Sequence, residues 1–292
     1  MAEGIIVKAL SGFYYVENEA GYFQCRGRGL FRKQKIKPLV GDKVKFDAEN
    51  VTDGYILEIK ERSNELVRPP VANIDQALLV FSAEEPSFST ILLDRFLVHV
   101  EAQQIRIRII ITKMDLADEE KKEEIIQYKK DYEEAGYEVI LLSSVTNEGV
   151  EALRPVFAAN LSIIAGQSGV GKSTLLNALK PDLDLETAEI SSHLGRGKHT
   201  TRHVELLKID GGLVADTPGF SSLDFKEIQE DNLDLYFPEM KRRLPECKFR
   251  GCTHRREPGC AIKQALKTGE LKEYRYKHYL QFFQEISEQR RY

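Results

Sequence analysis

Gly166-Gln167-Ser168-Gly169-Val170-Gly171-Lys172-Ser173-Thr174 follows the apolar run Leu161-Ser162-Ile163-Ile164-Ala165 and leads into Leu175-Leu176-Asn177-Ala178-Leu179, a helical pattern. Glycines at this spacing let the backbone curl so that successive N–H groups face phosphate oxygens, and the following helix N-terminus adds positive potential. Lys172 is then placed to reach the β and γ phosphates of a bound nucleotide, and the Ser173 hydroxyl to ligate Mg²⁺. Asp216-Thr217-Pro218-Gly219 comes after a second apolar run, Leu213-Val214-Ala215. A carboxylate at Asp216 suits the Mg²⁺ shell, and the Gly219 N–H suits a γ phosphate.

Upstream of both stands Thr112-Lys113-Met114-Asp115. Guanine presents two adjacent donors, N1–H and its exocyclic amine, and one carboxylate at Asp115 accepts both. Lys113 can lay its stem across the base, and Ser143-Ser144 can offer a backbone N–H to guanine O6. Thr112 departs from the asparagine commoner at the first position, and the string alone equally suits a helix N-cap. An ATPase reading survives only if Asp115 lies away from the base. The base-reading motif precedes the phosphate loop here, the reverse of the order in an ordinary GTPase, so the chain reads as a circularly permuted one.

Between the phosphate-loop helix and Asp216, the polar, glycine-containing stretch 190–202 reads as a switch loop in which Thr200 or Thr201 completes the Mg²⁺ shell. Phe220 stands where many GTPases carry a water-orienting glutamine, so unaided hydrolysis is expected to be slow. His199 is the candidate replacement, since an imidazole can orient or deprotonate water; a plain solvated histidine is the equal alternative.

Cys247-x₄-Cys252-x-His254-x₅-Cys260 gathers three thiols and an imidazole, a donor set suited to one structural, tetrahedral Zn²⁺. Lys241-Arg242-Arg243, Lys248, Arg250 and Arg255-Arg256 surround it, a basic surface suited to RNA phosphates.

The elements that must position these groups divide the chain into 1–68, 69–224 and 225–292. The first reads as short strands and turns, about five of them, and suggests an OB-type barrel, a fold that binds oligonucleotides on one face. Arg26, Arg28, Arg32, Lys33, Lys35 and Lys37 occupy one of its loops, a partner for phosphates or a solvated loop. After Pro69-Pro70, apolar runs at 77–81, 107–111, 139–142, 161–165 and 213–215 alternate with helical patterns near 91–103, 119–135 and 172–180, the signature of a parallel sheet covered by helices. The last region carries Tyr276, Tyr279, Leu280, Phe283 and Ile286 at helical spacing, best explained by core packing. A net charge of −4 conceals an acidic centre between more basic ends. No apolar run of about 18 residues, no leader-like N-terminus and few cysteines lead us to expect a cytoplasmic protein with no membrane partner, and a monomer is the working expectation that these features do not decide.

Taken together, these residues resemble the ribosome small subunit-dependent GTPase A (RsgA) family, circularly permuted GTPases that act late in maturation of the bacterial small (30S) ribosomal subunit. The resemblance runs over nearly the whole chain: the barrel before Pro69, Asn73-Ile74-Asp75-Gln76, Thr112-Lys113-Met114-Asp115, the loop from Gly166, residues 195–201, Asp216 through Phe220, and the Cys247/Cys252/His254/Cys260 cluster. It implies an OB barrel, a permuted GTPase domain and a helical zinc-binding domain. It also implies GTP/GDP with Mg²⁺, weak hydrolysis stimulated by the 30S subunit, and contact with ribosomal RNA. Phe220 agrees with the family's hydrophobic residue there, and Thr112 is a variation that keeps Lys113 and Asp115. A regulatory GTPase acting on a protein or membrane, and an RNA-binding scaffold that uses nucleotide only to hold its fold, are the competing readings.

Overall fold

The computed structural model describes residues 1–29, 31, 36–66, 69–183, 204–216 and 223–289, with Asp216 described through its backbone alone. Alternating apolar residues build β1 (Ala2–Leu10), β2 (Phe13–Asn18), β3 (Gly21–Gly27), β4 (Lys43–Asn50) and β5 (Asp53–Ile59). Their order β1-β2-β3-β5-β4, with β1 also pairing β4, closes a barrel around the fully buried Ile6, Val16, Cys25, Val44 and Ile56. Buried Asp42 is held in the barrel by Arg62, whose Nε and Nη2 donate to its carboxylate at 2.7 and 2.8 Å.

A ribbon of β6 (Glu65–Leu66) and β7 (Val71–Ala72) leads out of the barrel. Here the Ala72 N–H donates to the Val40 carbonyl and the Asn73 amide to that of Gly41, so the exit is anchored on the barrel. The second layer is a sheet in the order β10-β9-β8-β11-β13-β12, made of β8 (Gln76–Ser82), β9 (Arg106–Thr112), β10 (Glu138–Leu141), β11 (Leu161–Ala165), β12 (Glu205–Ile209) and β13 (Gly212–Asp216). It is parallel except for β12, which pairs antiparallel with β13 and, through Lys8 and Glu205, with β1. The expected parallel sheet is there in β10-β9-β8-β11-β13, and the hairpin adds one antiparallel strand at its margin. Asp210 and Gly211, both at positive φ, form its two-residue turn, and an Asp-Gly pair between alternating runs is the signal that would have disclosed it.

Helices α1 (Thr90–Glu101), α2 (Glu119–Ala135), α3 (Val150–Phe157) and α4 (Lys172–Leu179) cover the sheet. Helix α2 is capped by Asp118, which accepts from the Lys121 N–H at 2.8 Å, and ends at Gly136 in the left-handed region. The C-terminal region is helical, with α5 (Ala261–Thr268) and α6 (Glu273–Gln289) packed on Phe225, Phe237 and Met240. As the spacing predicts, Tyr279, Phe283 and Ile286 are buried in this core, while Tyr276 and Leu280 pack against it half-buried.

One charged side chain of α1, Asp94, reaches into the helical C-terminal region. Asp94, fully buried, accepts from the Tyr132 hydroxyl at 2.7 Å, from His278 Nδ1 at 2.6 Å and from the Arg275 guanidinium. Arg275 also donates to Glu239 at 2.7 and 3.1 Å. Burial alone would lower the Arg275 pKa, but Asp94 and Glu239 outweigh it and hold the guanidinium charged. Among the described residues no helix is long and apolar enough to cross a membrane.

Candidate nucleotide and metal sites

Strand β11 lies between β8 and β13 although β8 and β9 precede it in the chain, so the permuted order still brings the motif-bearing strand ends to one edge of the sheet. Ligands of open α/β sheets bind at that carboxyl edge, where the loops diverge. The phosphate loop turns there at Gly166, where a Cβ would lie 2.0 Å from the Val80 carbonyl oxygen, so no other residue fits against β8. Gly171, at φ 89°, caps α4, which begins at Lys172. The Lys172 ammonium arches over the loop and donates to the Gly166 and Gln167 carbonyls at 2.9 and 2.7 Å. Burial lowers its pKa from the usual lysine range.

The base-reading motif meets this loop directly. The Thr112 hydroxyl lies 2.6 Å from the Val170 carbonyl and 3.1 Å from that of Phe81, which ties the end of β9 to the phosphate loop. Lys113, at φ 58°, runs alongside, its Cε 4.0 Å from where a Cβ on Gly171 would sit, and its ammonium donates to the Glu85 carbonyl. Asp115 is exposed just beyond. Thr112 therefore has a local task that its side-chain length suits, and its departure from asparagine leaves the junction intact. Thr112→Val keeps the volume and leaves the Val170 carbonyl without its donor, so nucleotide binding is expected to weaken by about 1–3 kcal/mol. Titration calorimetry with GDP checks this.

Of the serine pair after β10, Ser143 spends its N–H on the Glu148 carbonyl at 2.9 Å and its hydroxyl oxygen on the Val145 and Thr146 N–H groups. Beside it, the Ser144 hydroxyl oxygen is buried without a partner among the described residues. Ser173 opens α4 beside Lys172, and the backbone of Asp216 ends β13, the strand that pairs with β11. His199, Thr200, Thr201, Gly219, Phe220 and the side chain of Asp216 lie outside the described residues, as do Arg32, Lys33 and Lys35 of the barrel loop.

At the C-terminal cluster, one donor atom from each of Cys247, Cys252, His254 and Cys260 lies within 4.8 Å of the others. His254 turns Nδ1 toward the Cys260 and Cys247 sulfurs, at 3.3 and 3.7 Å, while its Nε2 meets Asp234 at 3.0 Å. A carboxylate behind the outer nitrogen orients a metal-binding imidazole, and the sequence reading missed Asp234 because it lies 20 residues upstream. Burial, together with the Cys260 and Cys247 sulfurs, pushes the Cys252 thiol up to about 12. The loop itself is built on Glu257. Burial pushes its carboxyl up, but the Thr253 hydroxyl and the surrounding backbone N–H groups outweigh that and bring it down to about 2. Tyr276 and Tyr279 of α6 donate to the His254 and Thr253 carbonyls, which seats the cluster on the C-terminal core.

Comparison with known proteins agrees with this geometry. A family model described as the RsgA GTPase matches residues 59–226, and one described as the RsgA N-terminal domain matches residues 3–56. A protein of Halalkalibacterium halodurans named small ribosomal subunit biogenesis GTPase RsgA is 64% identical over 289 residues, covering 99% of this chain and 98% of that protein. One of the same name from a Geobacillus strain is 60% identical over 290 residues, covering 99% of each. Among solved structures, YloQ, described as a circularly permuted GTPase, superposes with a TM-score of 0.86 at 54% identity, covering 99% of this chain and 96% of that one. YjeQ from Thermotoga maritima does so at 0.86 and 37%, covering 97% and 98%.

Proposed function

The chain belongs to the RsgA GTPase family, and from that premise we propose that it hydrolyses GTP while bound to the bacterial 30S ribosomal subunit late in that subunit's maturation. The observation that carries the reading is the junction of Thr112 with the Val170 carbonyl, which sets the guanine-reading motif against the phosphate loop. Asp115 accepts the two guanine donors, Lys113 flanks the base and Ser144 faces its O6. The N–H groups from Gly166 through Thr174 and the Lys172 ammonium hold the phosphates. Lys172 acts catalytically by balancing charge on the leaving phosphate oxygens. Ser173, Asp216 and Thr200 or Thr201 would hold Mg²⁺, which when bound neutralises charge on the phosphoryl oxygens.

With Phe220 in the place of a water-orienting glutamine, intrinsic turnover is slow, and the 30S subunit completes the site. His199 orients the attacking water. Accordingly, His199→Ala is expected to bind GTP as the parent does and to lose subunit-stimulated turnover by about 10²-fold or more; unchanged stimulated turnover removes His199 from the mechanism.

The Cys247/Cys252/His254/Cys260 set would hold one structural Zn²⁺, which stiffens the basic C-terminal surface for ribosomal RNA. Cys252→Ser, or treatment with a strong chelator, is expected to release one zinc per chain and melt the C-terminal helices, while GDP binding persists. Metal analysis and far-UV circular dichroism read both effects. The protein acts as a cytoplasmic monomer. In the GTP form the barrel and the zinc domain dock on ribosomal RNA, and hydrolysis releases them. GTP turnover measured with and without purified 30S subunits tests the whole reading, and the absence of stimulation would overturn it.

A further inference from the structure

The segment between β8 and α1 touches both halves of the nucleotide site. Pro86 Cδ lies 3.8 Å from where a Cβ on Gly169 would project, which puts the segment close beside the phosphate loop. The Glu85 carbonyl accepts the Lys113 ammonium of the base-reading motif, and the Ala83 N–H donates to the Thr112 carbonyl at 2.9 Å. The Ser82 hydroxyl donates to the Pro86 carbonyl at 2.6 Å and braces the segment from inside. A few residues later Ser89 caps α1, its hydroxyl accepting from the Leu92 N–H.

From α1 the contacts pass directly into the C-terminal domain. Arg95 donates two parallel bonds to Glu285 of α6 at 2.8 and 2.5 Å. Its third bond goes to the Leu223 carbonyl at 3.1 Å, and its guanidinium lies over the rings of Phe225 and Phe282 at 4.5 and 4.9 Å. One turn along, the His99 ring stacks on Phe225 at 5.2 Å. Leu223 and Phe225 belong to the strand of chain that leaves the Asp216 motif, so a single guanidinium holds both that outgoing strand and the last helix. A planar fork with stacking faces fixes orientation as a lysine cannot.

We propose that α1 carries the state of the nucleotide site to the C-terminal domain, with Arg95 as the positioning residue of that coupling. A shift of the phosphate loop or of Lys113 moves the 83–89 segment, and α1 passes the displacement to α6 through Arg95 and Glu285. The inference deepens the nucleotide-dependent docking proposed above and rests on it. It adds a route that does not run through the segment joining Asp216 to Leu223.

The test compares the parent protein with Arg95→Ala and with the milder Glu285→Gln, each in the GDP form and with a non-hydrolysable GTP analogue. Two quantities are read, hydrogen exchange of the amides of residues 273–289 in the free protein and affinity for purified 30S subunits. Nucleotide affinity is measured alongside to show that each variant is folded. The parent is expected to show different exchange in the two nucleotide forms, and both variants to lose about ten-fold of the difference in subunit affinity between them. A merely structural clamp would instead weaken subunit binding equally in both forms, and that result overturns the coupling. Variants that keep the parent's exchange difference overturn it too, as does a parent whose exchange ignores the nucleotide. A parent whose exchange follows the nucleotide while its subunit affinity does not would sink the docking reading and leave the coupling standing.

Discussion

Asp115→Asn is expected to weaken GTP binding by about 3–6 kcal/mol, roughly 10²- to 10⁴-fold, because two hydrogen bonds to a charged acceptor are lost together. An asparagine at this place presents one carbonyl and one amide, which clash in part with two adjacent donors. Xanthine replaces the exocyclic amine of guanine with a carbonyl, so the same variant is expected to gain affinity for xanthosine triphosphate. Competition between the two nucleotides against a fluorescent GDP derivative reads both changes. Unaltered GTP affinity in Asp115→Asn would falsify the base-reading role and with it the guanine specificity.

Asp94→Ala is the second large effect, and it acts on stability. Asp94 is fully buried and shared among Arg275, His278 and Tyr132. Its removal leaves Arg275, only 2% exposed, with Glu239 as its remaining counter-charge, takes the carboxylate from His278 Nδ1, and leaves the Tyr132 hydroxyl with the Thr90 carbonyl at 3.4 Å. Breaking one partner of a buried ion pair costs about 3–5 kcal/mol. Urea unfolding of the nucleotide-bound protein is expected to show that loss. Glu273→Ala, which removes an ion pair exposed at 67% and 73%, is expected to leave the transition where it was. A drop no larger than that of the surface control would show that the cluster does not hold α1 to α6.

The two predictions stand on residues of very different visibility in the sequence. Asp115, the Gly166 loop and the Cys247/Cys252/His254/Cys260 set are short-range patterns, since binding a phosphate, a guanine edge or a soft metal dictates residue types at fixed local spacing. Asp94, Glu239, Arg275 and His278 have no such mark. Asp94 and His278 are 184 positions apart, and each reads as an ordinary surface charge on an amphipathic helix. Arg108 is a similar case. It sits inside a run read as apolar, yet it is buried with its guanidinium on Gln76 and Glu138, while Gln76 in turn donates to Ser162 of β11 at 2.8 Å. A buried polar chain across neighbouring strands becomes visible only once the strand order is known. Thr112 shows the converse, a departure from the commoner residue that the sequence could only note and that its contact with Val170 accounts for.

The hairpin strand β12 closes one side of the central sheet, and β1 of the barrel lies against it in antiparallel register at Lys8 and Glu205, reinforced by the ion pair of the same residues at 2.8 Å and by Lys208 with Glu17. A strand at the margin of a sheet offers unpaired backbone groups to any passing chain. By covering that margin, the barrel serves as a guard against self-association. A fragment beginning at residue 59, the start of the region matched by the GTPase family model, would bare that margin to its own copies.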